Sequence, residues 1–223
     1  MLKLARLCKG YQDGEEFHSV LQGAELNCHE GDQIALMGES GSGKSTLLNL
    51  IGGLDTADSG EIWIADKSMH DLSERARTRF RRDNIGFVFQ QYNLLPTLSM
   101  EDNIRFSRQL KGLDDNDGLW RQIISALDLR PLLKRYPEEV SGGQQQRAAI
   151  ARSLYMEPKL LLADEPTGSL DERNAEVVMK LLISLTKTLK STLVVVTHSP
   201  VVSEYFERKY VLQGGTLNVR NSR

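Results

Sequence analysis

A chain of 223 residues can bury a substantial apolar core, and with 40% hydrophobic and 26% charged residues it has the balance of an ordinary globular domain, not a disordered one. The net charge of −2 gives no whole-domain basic field, which counts against nucleic-acid binding as the main activity. Cys8 and Cys28 sit in no paired motif or Cys/His cluster, no apolar run reaches the roughly 18 residues of a membrane span, and Met1 to Arg6 lacks the apolar region of a secretion signal.

Leu2, Leu4 and Leu7, and later Ala24, Leu26 and Cys28, alternate loosely with polar residues, which predicts half-buried strands at an antiparallel edge. Lys9 to Gly14 between them is turn-prone. Its Tyr11 is either a rim residue of the core or a platform for a base, and position alone favours the rim. Ile34 to Met37 predicts a buried strand, and Leu47, Leu48, Leu50 and Ile51 a helix. Between them Gly38-Glu39-Ser40-Gly41-Ser42-Gly43-Lys44-Ser45 fits the phosphate-loop pattern G-x-x-x-x-G-K-[ST] at every specified position. The glycines let successive N–H groups turn inward toward a polyphosphate, and the helix adds its positive end. Lys44 supplies a point charge for the terminal phosphates, and the Ser45 hydroxyl a ligand for Mg²⁺.

Asp58-Ser59-Gly60 reads as a turn into a strand over Glu61 to Ala65, and Ser73 as the cap of a helix through Arg82. Arg75, Arg79 and Arg82 share one face of that helix, read as solvated surface. Ile85 to Phe89 suits a strand buried on both faces, ending at Gln90-Gln91. From about 91 to 140, prolines, polar loops and helical patterns predict a helical insert between strands, not a separate domain. Ser141-Gly142-Gly143-Gln144 opens a further helix, with Ser141 as its cap and two glycines leaving its first N–H groups accessible. Lys159 to Glu165 is an apolar run ending in two carboxylates, which belongs at the C-terminal edge of a parallel sheet, where ligands bind. There Asp164 can serve a Mg²⁺ shell and Glu165 a water attacking a γ-phosphate. A helix from about Asp171 to Leu189, a buried strand over Thr192 to Thr197 ending at His198, and a hairpin around Gly214-Gly215 complete the chain.

In this order the motifs resemble those of the ATP-binding-cassette (ABC) family of transporter ATPases, over nearly the whole chain. The Walker A loop is Gly38 to Ser45, with Thr46 following, and the Q-loop residue is Gln90. The signature is Val140-Ser141-Gly142-Gly143-Gln144, the Walker B strand ends at Asp164-Glu165, the D-loop is Ser169-Leu170-Asp171, and the switch histidine is His198. The resemblance implies an α/β fold: a P-loop NTPase core with a mixed sheet and an N-terminal antiparallel β edge over 1–90 and 141–223, with a helical subdomain at about 91–140. It implies ATP and Mg²⁺ as ligands, held by Tyr11 on adenine, by Gly38, Ser40, Gly41, Ser42, Gly43, Lys44, Ser45 and Thr46 on phosphate, and by Ser45, Gln90 and Asp164 on the metal. Glu165 matches the general base and His198 the γ-phosphate contact, with Gln90 and Lys44 also in the catalytic set. Two copies are implied to pair head to tail, Ser141, Gly142, Gly143, Gln144 and Asp171 of one completing the site of the other.

Gly52-Gly53-Leu54-Asp55, Phe87-Val88-Phe89-Gln90, Asn93 to Leu98 and Asp164 to Asp171 are similar to the LolD/MacB branch, related to the division ATPase FtsE. That branch implies an integral-membrane permease of the FtsX/MacB type as partner and a place on the inner face of the bacterial cytoplasmic membrane. The alternative is an ABC ATPase that regulates or assembles without transport. Val140 where leucine is usual, Ser169 where asparagine is frequent and Ser199 where aspartate is common depart from the pattern without removing a catalytic group.

Overall fold

The computed structural model describes residues 1–220 except Glu15, Ser169 and the side chains of Glu172 and Arg173. Strands β1 (Leu2–Asp13), β2 (Glu16–Cys28) and β3 (Gln33–Met37) precede helix α1 (Lys44–Ile51). Then come β4 (Ser59–Ile64), β5 (Lys67–Ser68), α2 (Glu74–Asn84) and β6 (Ile85–Val88). Helices α3 (Met100–Lys111), α4 (Asp117–Ala126) and α5 (Gly142–Tyr155) follow, with 3₁₀ turns at Arg130–Leu132 and Pro137–Glu139. The chain ends with β7 (Leu160–Asp164), α6 (Glu172–Thr188), β8 (Thr192–Val196), α7 (Pro200–Ser203), β9 (Arg208–Gln213) and β10 (Thr216–Val219).

Two sheets result. One is antiparallel, in the order β2-β1-β4-β5; the other is mixed, β10-β9-β3-β8-β7-β6, parallel except for β10. The uniformly apolar strands are those buried on both faces, and their period of two divides them between two cores. Leu161, Ala163, Leu193 and Val195 face the core built with α3 to α6. Leu160, Leu162, Val194 and Val196, with Ile34 and Leu36, face the core built with α1 and the antiparallel sheet. Strand β6 is buried as its composition predicts, except for half-buried Phe87, yet it lies at the border of the sheet with β7 as its one partner.

The turn expected over Lys9 to Gly14 is corrected by the structure. Strand β1 continues to Asp13, with Lys9↔Leu21, Gly10↔Ser19 and Tyr11↔His18 paired across to β2. Cross-strand packing overrides the local turn tendency: the Phe17 ring lies over Gly10, where any Cβ would come within 2.2 Å of it. Helix α2 behaves as its sequence predicts, with Ser73 accepting from the Ala76 N–H and Arg75, Arg79 and Arg82 exposed. Arg81 instead turns inward to the Gly53 carbonyl at 2.6 Å.

Between β6 and α5 the loop before α3 is fastened by one fully buried amide. Asn103 accepts from the Leu95 N–H and donates to the carbonyls of Leu95, Leu98 and Ser99, all within 3.1 Å. Asn103→Ala takes this partner from the Leu95 N–H and the Leu98 carbonyl, while the Ser99 and Leu95 carbonyls keep backbone donors, and is expected to cost about 1–3 kcal/mol, read as a lower denaturation midpoint at unchanged m-value. Among the described residues no helix is long and apolar enough to cross a membrane.

Candidate active site

The strand order β3-β8-β7-β6 sets four parallel C-terminal ends side by side, and a sequence motif follows each. Gly38 to Ser45 follows β3, His198 follows β8, Asp164-Glu165 ends β7, and Gln90 follows β6. They converge on a cleft of about 530 Å³ lined by Ser40, Gly41, Gly43 to Thr46, Gln90, Asp164, Glu165 and His198, with Tyr11 and Val20 from the antiparallel sheet. Gly38 and Ser42 border the adjoining hollow, which shares Ser40, Gly41 and His198 with this cleft.

Helix α1 differs from its neighbours at its amino end. Among the described residues the other six α-helices are capped by a side chain, from Ser73, Ser99, Asn116, Ser141, Asp171 and Ser199. The cap position of α1 is Gly43, in the left-handed region (φ 96°), with no side-chain bond and no acid in the first turn. A Cβ there would lie 2.4 Å from Val20 Cγ1, so the position admits only glycine. The Ser42 hydroxyl is buried without a partner, and the buried Lys44 ammonium donates to the Gly38 and Glu39 carbonyls at 3.0 and 2.7 Å. An uncapped helix end, an orphaned hydroxyl and a loop-held cation fit a polyphosphate.

Across the cleft, the Ser45 hydroxyl lies close enough to Asp164 to act on its carboxyl as a hydrogen-bond donor. Burial pushes the Asp164 carboxyl up, the Ser45 bond pulls it back, and the charges of Glu165 and Lys44 act in opposite senses. Glu165 adopts a left-handed backbone (φ 46°), uncommon outside glycine. Its Oε1 accepts from the His198 N–H at 2.9 Å and lies 2.7 Å from His198 Nδ1, while its Oε2 accepts from the Thr197 hydroxyl at 3.3 Å. The glutamate is thus held from the adjacent strand end with its side chain 13% exposed. No cluster of three or more His, Cys, Asp or Glu poised for a metal occurs among the described residues. Ser45 with Asp164 suits a cation such as Mg²⁺, which keeps several waters and relies on phosphate for further ligands.

Tyr11 turns out to be a rim residue, but of this cleft: it is 42% exposed, its hydroxyl donates to Asp55 at 2.7 Å, and Lys9 lies 4.9 Å from the ring centroid. Asp55 and Thr197 escaped the motif reading as holding residues, because each acts through a partner remote in sequence. The other predicted residues are not brought here. Ser141 and Gln144 form a reciprocal capping box on α5, Gln144 accepting from the Ser141 N–H at 2.9 Å, and Asp171 caps α6 through the Asn174 N–H. Gly142 and Gly143 lie in the first turn of α5, outside the cleft lining. Ser169 of the predicted D-loop falls outside the described residues.

Residues 21–168 match the family model described as ABC transporter. The chain belongs to the ABC transporter family. The ABC cassette fold is also shared in three dimensions: a dimeric post-hydrolysis structure of the ATP-binding cassette MJ0796, bound to ADP and Pi, superposes with a TM-score of 0.91 at 40% identity, covering 100% of this chain and 99% of that one. The lipoprotein-releasing system ATP-binding protein LolD of Alcanivorax borkumensis is 42% identical over 97% of this chain and 96% of its own length. The macrolide export ATP-binding/permease protein MacB of Shigella flexneri is 40% identical over 99% of this chain, which corresponds to 34% of that longer protein. These matches place the chain among ABC ATPases of the LolD/MacB branch.

Proposed function

We propose that this chain is the ATP-hydrolysing subunit of a LolD/MacB-type transporter, seated on the inner face of the cytoplasmic membrane through a permease of the FtsX/MacB type. The observation that carries this reading is the uncapped, glycine-walled end of α1 facing the Asp164-Glu165 pair across one cleft. Gly38 to Thr46 cradle the β- and γ-phosphates, with Lys44 neutralising charge, and Tyr11 offers its ring to adenine. Ser45, Asp164 and Gln90 would hold Mg²⁺, which when bound supplies positive charge at the phosphate oxygens. Glu165 orients a water in line with the γ-phosphate and takes its proton, and His198 fixes the carboxylate that does so.

The signature residues act on a second copy. Ser141, Gly142, Gly143 and Gln144 at the end of α5, and Asp171 at the end of α6, stand outside the cleft of their own chain, which suits a head-to-tail homodimer closed by ATP. Residues of about 91–140 form the helical subdomain of this reading. An apolar groove of about 490 Å³, walled by Leu54, Phe87, Phe89, Leu95, Phe106 and Leu110, gives a cytoplasmic permease helix a place to dock. MacB, named as ATP-binding protein and permease in one chain, supports the pairing of such a cassette with a permease.

The test is recovery of tagged Glu165→Gln protein from native membranes with ATP and Mg²⁺. A co-purifying permease with a large extracytoplasmic domain is the expected result. Recovery of soluble partners alone, with the cassette missing from the membrane fraction, would overturn the transport reading in favour of a regulator.

A further inference from the structure

The segment that leaves the cleft at Gln90 is tied to the helix that carries the signature glycines. Two and three residues past Gln90, Tyr92 and Asn93 both adopt left-handed backbones (φ 55° and 50°), uncommon for two successive residues that are not glycine. Their carbonyls meet one cation from α5. Arg152 Nη2 donates to the Tyr92 carbonyl at 2.9 Å and Nη1 to the Asn93 carbonyl at 2.6 Å. Arg152 makes no ion pair among the described residues, and burial alone pulls its pKa down, so these two carbonyls are what compensates its charge. The Tyr92 side chain meets the same helix at its other end, its hydroxyl lying 2.8 Å from where a Cβ on Gly142 would stand. Beyond this, Asn103 ties the chain at Leu95 to Ser99 onto α3, which packs against α5. Arg152, Asn93 and Leu95 also border the apolar groove.

We propose that Arg152 is a positioning residue, a strap that makes the Gln90 segment and the first turn of α5 move as one body, so that nucleotide contact in one copy sets the signature presented to the other. It does not line the cleft. Two grips separated along α5, one on backbone and one on a side chain, fix both position and orientation; a single hydrogen bond would leave the segment free to swing. The strap lies beside the groove, so an occupant of the groove bears on the same residues that aim Gln90. This inference rests on the proposed ATP-closed homodimer.

The experiment places Arg152→Ala in the Glu165→Gln background and measures ATP affinity of the isolated chain, ATP-driven dimerisation and melting temperature. Losing a charged donor to two carbonyls is expected to weaken dimerisation by at least about tenfold, with ATP affinity of the isolated chain within about twofold of the parent. Because the lost guanidinium borders the open groove, millimolar methylguanidinium is expected to restore dimerisation in Arg152→Ala and not to strengthen it in the parent. Dimerisation equal to the parent, or a loss of ATP affinity in proportion to the loss of dimer, overturns the strap. If Arg152→Ala does not fold, Tyr92→Ala replaces it: this half-buried loop change removes the grip on Gly142 and must weaken dimerisation at an unchanged melting temperature, and failure to do so overturns the proposal. A Glu165→Gln parent that stays monomeric with ATP would instead remove the homodimer on which the strap depends.

Discussion

Glu165→Gln is expected to lower ATP turnover by about 10²- to 10⁴-fold while nucleotide affinity is kept, the range lost with a general base. The amide has the size of the carboxylate, and its carbonyl still accepts from the His198 N–H that holds Glu165 in place. The proton acceptor and the negative charge are what disappear. Removing an anion from beside a γ-phosphate also strengthens the closed state, so the variant should run as a dimer with ATP and as a monomer without it. Phosphate release and light scattering on the same sample separate the two effects. Turnover at the parental rate would exclude Glu165 as the base, whatever the oligomeric state.

Gly143→Asp is expected to abolish closure and reduce turnover by at least about 10²-fold without touching ATP binding to the isolated chain, because like charges brought together at an interface cost several kcal/mol. A carboxylate in the first turn of α5 favours the helix end to which it is added, so the fold is not the casualty. Its Cβ meets Leu170 Cδ2 at 3.0 Å, the tip of a side chain that can give way. The penalty falls on a second copy's γ-phosphate, the charge that this helix end would receive. Calorimetric ATP binding beside steady-state turnover checks it: a lost binding signal in the isolated chain would mean that Gly143 serves its own cleft, and the head-to-tail arrangement would be wrong.

The strand-to-helix loop from Gly38 to Ser45 was legible from the chain because its geometry is local: Gly43 at the uncapped helix end and Lys44 turned back onto the loop carbonyls depend on neighbours within a few residues. The same holds for the caps Ser73 and Ser141 and for the apolar strands that end at Asp164 and near His198. Contacts between distant stretches were not legible. Nothing local says that β8 lies between β3 and β7, yet that order brings His198 onto Glu165 across 33 positions. Position favoured the core rim for Tyr11 and could not show the cleft, since what holds it there is Asp55 and Lys9. Lys9 to Gly14 was misread because its turn-forming composition says nothing about the strand waiting opposite, and Arg152 looks in sequence like one more charge on a helix.

The border position of β6 has a mechanical meaning. Strands β3, β8 and β7, which carry the phosphate loop, His198 and the acid pair, are each hydrogen-bonded on both sides, while β6 is bonded to β7 alone. Interior strands open only with the sheet as a whole, whereas a margin can shift at small energetic cost. Among the described residues the phosphate loop, His198 and the acid pair thus follow strands paired on both sides, and Gln90 follows the one paired on a single side. On the proposed mechanism, a shift at Gln90 would therefore disturb one strand pairing, where a shift at Glu165 would disturb two.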